Sequence, residues 1–140
     1  MNSDDQYTRW TDLDRMPDAR SVATYLDRAT VQESVHAYKA QSFALLAPKA
    51  GAALLEVGCG TGALLARRCR RVIALDLSAE MIRVARSRST QFDNLEFQLA
   101  DVMSWDFPQA HFDYICSIAT LHHLEQRELF VKMKSALRPE

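Results

Sequence analysis

Residues Leu54 to Gly62 read Leu-Leu-Glu-Val-Gly-Cys-Gly-Thr-Gly, and Asp76 closes the apolar run that follows. Ala53 to Val57 is short and mostly apolar, as a buried strand should be. Gly58, Gly60 and Gly62 then fall within five positions of a chain that holds only four glycines. Glycine is needed where φ is positive or where a Cβ would block a ligand from approaching the backbone. A strand, a glycine turn, a helix and a second strand ending in an acid together build a nucleotide site. The backbone meets the ligand at the turn, and the carboxylate of Asp76 accepts hydrogen bonds from ribose hydroxyls.

Outward from this stretch, apolar periodicity assigns the remaining elements. Thr61 to about Cys69 reads as a short helix and Val72 to Leu77 as a second strand. Ser78 caps a helix whose inward face is Met81, Val84 and Ala85. Asn94 to Leu99 alternates, with Leu95, Phe97 and Leu99 on one side. Phe112 to Ile118 is a nearly continuous apolar strand, expected to be covered on both faces. Leu124 to Leu137 returns to helical period, with Phe130, Met133 and Leu137 on one face. Upstream, Ala19 to Ala47 lacks glycine and proline and reads as one long helix or two with a bend, striped by Val31, Val35, Tyr38 and Leu45 and stopped by Pro48 and Gly51. Residues 1–18 read as a flexible arm with isolated Tyr7, Trp10, Leu13 and Met16. Residues 19–140 form one domain, with helices over 19–48 and ligand-binding strand–helix units over 53–140. The alternating order implies an α/β fold with a parallel sheet.

Composition narrows the classes. The 140 residues are 48% hydrophobic and 25% charged, with a net charge of −1, an ordinary globular balance. A field of one sign that would attract nucleic acid is missing. The start, Met-Asn-Ser-Asp-Asp, has neither the basic nor the apolar part of a signal peptide, and no apolar run is long enough for a membrane span. The expectation is a cytoplasmic protein without a nucleic-acid or membrane partner. Cys59, Cys69 and Cys116 read as small buried hydrophobes, and their spacing with the histidines makes no metal site. Arg67, Arg68, Arg70 and Arg71 form a basic knot that suits a helix C-terminus.

The glycine spacing, GxGxG, departs from the GxGxxG of the rival dinucleotide oxidoreductases. With Glu56 ahead of it, the run Glu56, Gly58, Gly60, Gly62 resembles the first motif of the class I S-adenosylmethionine-dependent methyltransferases. Asp76-Leu77-Ser78 with Met81 resembles their second motif, and Ala100-Asp101-Val102 their third. Phe112-Asp113-Tyr114 through Leu121-His122-His123-Leu124 resembles the fourth strand and its exit. Tyr25 to Lys39, with Pro48 and Gly51, is similar to the N-terminal helices of the small-molecule members often called type 11.

The resemblance implies S-adenosyl-L-methionine as cofactor and methyl transfer to a small-molecule acceptor. It places Glu56 near the methionine ammonium, Asp76 on the ribose, and Leu77 and Met81 along the adenine pocket. Asp101 would accept from the adenine amino group, Val102 would pack beside the ring, and Ser117 would offer backbone or hydroxyl to the methionine tail. His122 and His123 are candidates for a single proton acceptor, since adjacent side chains in a turn seldom aim at one atom. The family sheet has seven strands in the order 3-2-1-4-5-7-6, whereas this chain supplies a Rossmann-like 3-2-1-4 half and stops at Glu140. A truncated N-terminal portion of a methyltransferase is therefore expected. The fourth strand becomes an edge open to self-association or strand addition. The alternative is a non-catalytic remnant that binds S-adenosylmethionine or a partner.

Overall fold

The computed structural model describes residues 14, 17–30, 33–58, 64–118, 120, 121 and 124–139. Strand β1 (Ala53–Val57) is buried at all five positions and forms the axis of the fold. It pairs in parallel with β2 (Arg71–Asp76) on one side and β4 (Tyr114–Ser117) on the other. The outer strand β3 (Leu95–Leu99) pairs in parallel with β2, so the order is β3-β2-β1-β4, as the sequence predicts. Leu55 lies level with Ile73 and Ile115, and Glu56 with Ala74 and Cys116.

Strand alternation sends neighbouring residues to opposite faces, and each face has its own core. Leu55, Val57, Ile73 and Leu75 point to one side, where Val102, Phe107, Phe112, Leu129 and Ala136 cover them. Leu54 and Val72 point to the other, against Phe43, Leu65, Ala66 and Cys69. On that second face Ala74 and Phe97 also receive Ile82 and Ala85. The helices responsible are α4 (Gln126–Ala136) on the first face, and α2 (Glu33–Leu46) and α3 (Ala79–Arg88) on the second. Helix α1 (Ala19–Thr30) forms an outer layer, with Ala23 packed on Met81 and Val84 of α3. Full burial of a leucine such as Leu54 stabilises this arrangement by about 2 kcal/mol.

Several expected faces are corrected. The 19–47 segment is two helices, and Tyr38 and Leu45 stand 56% and 83% exposed. Phe43 is the buried anchor instead, because apolar residues surround α2 almost evenly and periodicity singles out no face. Val31 lies outside the described residues. In α4 the buried stripe runs through Leu129 and Ala136, while Phe130 and Leu137 face outward. The two candidate stripes differ by a single residue of rotation. Leu99 ends β3 exposed, past the edge of the helix that covers Phe97. The fourth strand is shorter than expected and only half-buried, and Leu137 bridges in parallel to Phe112 just before it. The start of that sheet edge is therefore covered, with Arg138 N–H donating to the Phe112 carbonyl at 2.8 Å.

Between the glycine turn and β2, the described helical piece is the 3-10 turn Leu64–Arg67. The Asn94 amide holds its end by donating to the carbonyls of Ala66 (2.6 Å) and Cys69 (2.8 Å). The basic knot is spent on structure at this end of the sheet. The Arg67 guanidinium lies over the Phe92 ring, Arg70 donates to the Gly51 carbonyl, and Arg71 pairs with Glu96 at 2.8 Å. Among the described residues no helix is long and apolar enough to cross a membrane.

Candidate functional site

Parallel pairing delivers the C-terminal ends of all four strands to one edge of the sheet. Glu56 and Gly58 arrive there from β1, Asp76 from β2, Asp101 and Val102 just after β3, and Ser117 from β4. These six residues therefore share one edge of the sheet, whereas Leu77 and Met81 follow on the way into and within α3. Gly60, Gly62, His122 and His123 lie outside the described residues.

Gly58 turns the chain with φ +72°, a left-handed value that costs a side-chain-bearing residue roughly 1–2 kcal/mol. Its N–H still donates to the Leu75 carbonyl of β2 at 2.9 Å, so the turn begins while sheet pairing continues. Thr120, from the exit of β4, lies where a Cβ on Gly58 would be. Sequence reasoning missed Thr120, since no local pattern says that two distant loops touch.

Glu56 is the electrostatic anomaly. It is only 6% exposed, and its Oε2 has no hydrogen-bond partner among the described residues. Even position in β1 sends it to the α2 face, level with Ala74 and Cys116. Burial pushes its pKa up to about 8, an effect opposed by the Lys39 ammonium and reinforced by the Asp76 charge. At neutral pH the side chain is therefore a neutral acid, because an ion there lacks compensating hydrogen bonds. Beside it, burial followed by the Glu56 charge raises the Cys116 thiol, which stays protonated. Lys39 was not foreseen; its signal is visible only when α2 is laid on the sheet.

The other acids are satisfied by the protein. Asp76 Oδ1 accepts from Ser78 N–H at 2.9 Å, and its carbonyl accepts from Ala100 N–H. Asp101 Oδ1 accepts from Met103 N–H at 2.9 Å, fixing the turn after β3 while the residue stays exposed. Ser117 Oγ donates to the Val57 carbonyl at 2.9 Å, so its proton is committed to the sheet. Met81 is buried in the α1–α3 seam, Val102 in the core under β1 and β2, and Leu77 is 37% exposed.

Comparison with known proteins decides the family. The model described as "Methyltransferase domain" matches residues 54–140, from the second residue of β1 onward. The chain belongs to the methyltransferase domain family. An uncharacterised methyltransferase of Mycobacterium bovis is 41% identical to this domain over 75 residues, covering 51% of this chain and 38% of the relative. The 27-O-demethylrifamycin SV methyltransferase of Amycolatopsis mediterranei is 27% identical over 121 residues, covering 81% of this chain and 44% of its own length. Among solved structures, the DhpI–SAH complex superposes with a TM-score of 0.69 at 31% identity, covering 86% of this chain and 60% of that one. The methyltransferase domain here thus spans less than half the length of those two curated relatives.

Proposed function

We propose that this chain carries the S-adenosylmethionine-binding part of a cytoplasmic methyltransferase that acts on a small molecule. One observation carries the reading: a buried acid, Glu56, lies without a partner on Oε2 among the described residues, beside a glycine turn, at the edge where Asp76 and Asp101 also arrive. A neutral carboxylic acid kept in such a place suits a ligand that brings its own positive charge. The methionine ammonium and the sulfonium of S-adenosylmethionine supply that charge. Likeness to the DhpI–SAH complex supports the same ligand, and the relative named for 27-O-demethylrifamycin SV supports a small-molecule acceptor.

In this reading Glu56 favours the ammonium, directly or through water, and the backbone of Gly58, Gly60 and Gly62 lines the ligand. Asp76 accepts from the ribose, and Asp101 accepts from the adenine amino group. Leu77, Met81 and Val102 bound the ring, and Ser117 receives the methionine tail. S-adenosylmethionine supplies, when bound, a methyl group already activated for in-line displacement. What remains for the chain is to orient, exclude water and remove a proton from the acceptor, and positioning alone lowers such a barrier by several kcal/mol. One of His122 and His123 takes that proton.

Calorimetry with S-adenosylmethionine, S-adenosylhomocysteine and NAD tests the site. The two sulfur ligands should bind and NAD should not; NAD binding with neither of the others would overturn the reading. Methyl-transfer assays on the same chain separate an enzyme from a binding remnant. Replacing His122 and His123 in turn by Ala should lower turnover in one variant at unchanged cofactor affinity.

A further inference from the structure

Asp14 precedes every helix of the fold, yet its carboxylate is bound at the start of α3. Ser78 Oγ donates to Asp14 Oδ1 at 2.6 Å, Ala79 N–H to Oδ2 at 2.6 Å, and Glu80 N–H to Oδ1 at 3.4 Å. The partners are 64 to 66 positions away, so this is a tertiary cap. Partial burial works to raise the Asp14 pKa, but the hydrogen bonds from Ser78, Ala79 and Glu80 outweigh it and hold the carboxyl below its usual value. Helix α3 already has a cap of its own, since Ser78 Oγ accepts from Met81 N–H at 3.2 Å. Asp14 therefore satisfies donors that Ser78 leaves over.

Ser78 stands between two acids. Its hydroxyl points to Asp14, and its N–H points to Asp76 Oδ1 at 2.9 Å. We propose that Asp14 is a positioning residue for the ribose-binding carboxylate, acting on Asp76 through Ser78. The inference rests on the assignment of Asp76 to the ribose. The physical argument is a division of donors. The first N–H groups of a helix are strong, unsatisfied donors that attract the nearest carboxylate. Asp76 is near enough in sequence to turn toward them and away from the strand end. With Ala79 and Glu80 taken by Asp14, the Ser78 N–H is left to Asp76 Oδ1, and this bond helps to fix the rotation of the carboxylate. The grip on the Ser78 hydroxyl in turn holds that residue extended, at φ −95° and ψ 122°, so its N–H keeps its aim. Packing of Ala23 on Met81 and Val84, and the Arg20–Glu80 approach at 3.9 Å, keep the N-terminal layer close enough for the cap to persist.

The test is a double-mutant cycle on the 140-residue chain, with S-adenosylhomocysteine and its 2′,3′-dideoxyribose analogue as probes. Asp14→Ala should weaken S-adenosylhomocysteine about five- to tenfold, the scale of a lost cap. It should have little further effect in an Asp76→Ala background and leave the dideoxy analogue almost unchanged. Asp14→Asn, which keeps an acceptor oxygen, should recover most of the affinity. Equal losses in both backgrounds or with both probes would reduce Asp14 to a structural cap and overturn the proposal. Amide hydrogen exchange without ligand keeps the two failures apart. Unchanged exchange at Ala79 and Glu80 in Asp14→Ala overturns the Asp14 contact alone. Faster exchange there, in a chain whose wild type or Asp76→Ala variant shows no dependence on the ribose, overturns the site assignment on which the proposal rests.

Discussion

Two acids reach the same sheet edge from adjacent strands, and the protein treats them oppositely. At the end of β2, Asp76 is held by Ser78, and Ser78 by Asp14, so the corner is supplied with donors. One strand away, Glu56 is buried with an oxygen that no described residue satisfies. The first corner is supplied by the protein's own donors, while the second holds a buried acid at an energetic cost. The sheet edge thus carries one acid whose geometry is fixed by the protein and one whose charge is withheld.

The most forceful way to break this contrast is Glu56→Gln. The folded pKa of about 8 lies above the ordinary 4.5, so between those values the folded state holds a proton that the unfolded state has released. Wild-type stability should be full below about pH 4.5, fall as pH rises toward 8, and level off beyond, a loss of several kcal/mol. The Gln variant should stay nearly flat in denaturant titrations across that window and be the more stable protein at pH 8. Parallel curves for the two proteins would mean that Glu56 is not buried as an acid. Gly58→Ala comes next. The left-handed φ and the overlap with Thr120 should cost about 2–4 kcal/mol, read as a lowered denaturant midpoint at unchanged slope. Ser78→Ala is the smallest and sharpens the comparison by its sign. Losing the cap to Met81 N–H should destabilise by about 1 kcal/mol, whereas removing the Glu56 charge stabilises. A Ser78→Ala variant as stable as wild type would show that the β2 corner is less finished than its hydrogen bonds suggest.

Much of this was legible in the sequence because it is local. The strand β1, its glycine turn, Asp76 and the Ser78 cap all declare themselves within a few residues, strand–helix alternation implies a parallel sheet, and the family resemblance supplies the order β3-β2-β1-β4. What escaped depends on three-dimensional neighbours. The choice between Leu129 and Phe130 as the inward residue of α4 needs the position of Phe112, and the burial of Phe43 rather than Tyr38 needs the position of Leu54. In the site, Glu56 and Asp76 were readable as acids of a motif. That one would be neutral and the other held through Asp14 was not, because Lys39, Cys116 and Asp14 come from remote segments.

The run of arginines at the far side of the sheet acquires a meaning once the acids are placed. Strand β2 begins with Arg71 and ends with Asp76, roughly 17 Å apart at the usual rise per residue. Arg67, Arg68 and Arg70 crowd the same beginning, and Asp14 and Asp101 join the same ending. Despite a net charge of only −1, basic side chains gather at one end of β2, where Glu96 offsets Arg71, and acids gather at the other. That span exceeds the roughly 8 Å screening length of physiological salt, so an approaching ion feels the nearer pole almost alone. Such an arrangement favours a cation at the glycine-turn end over the arginine end before any contact forms.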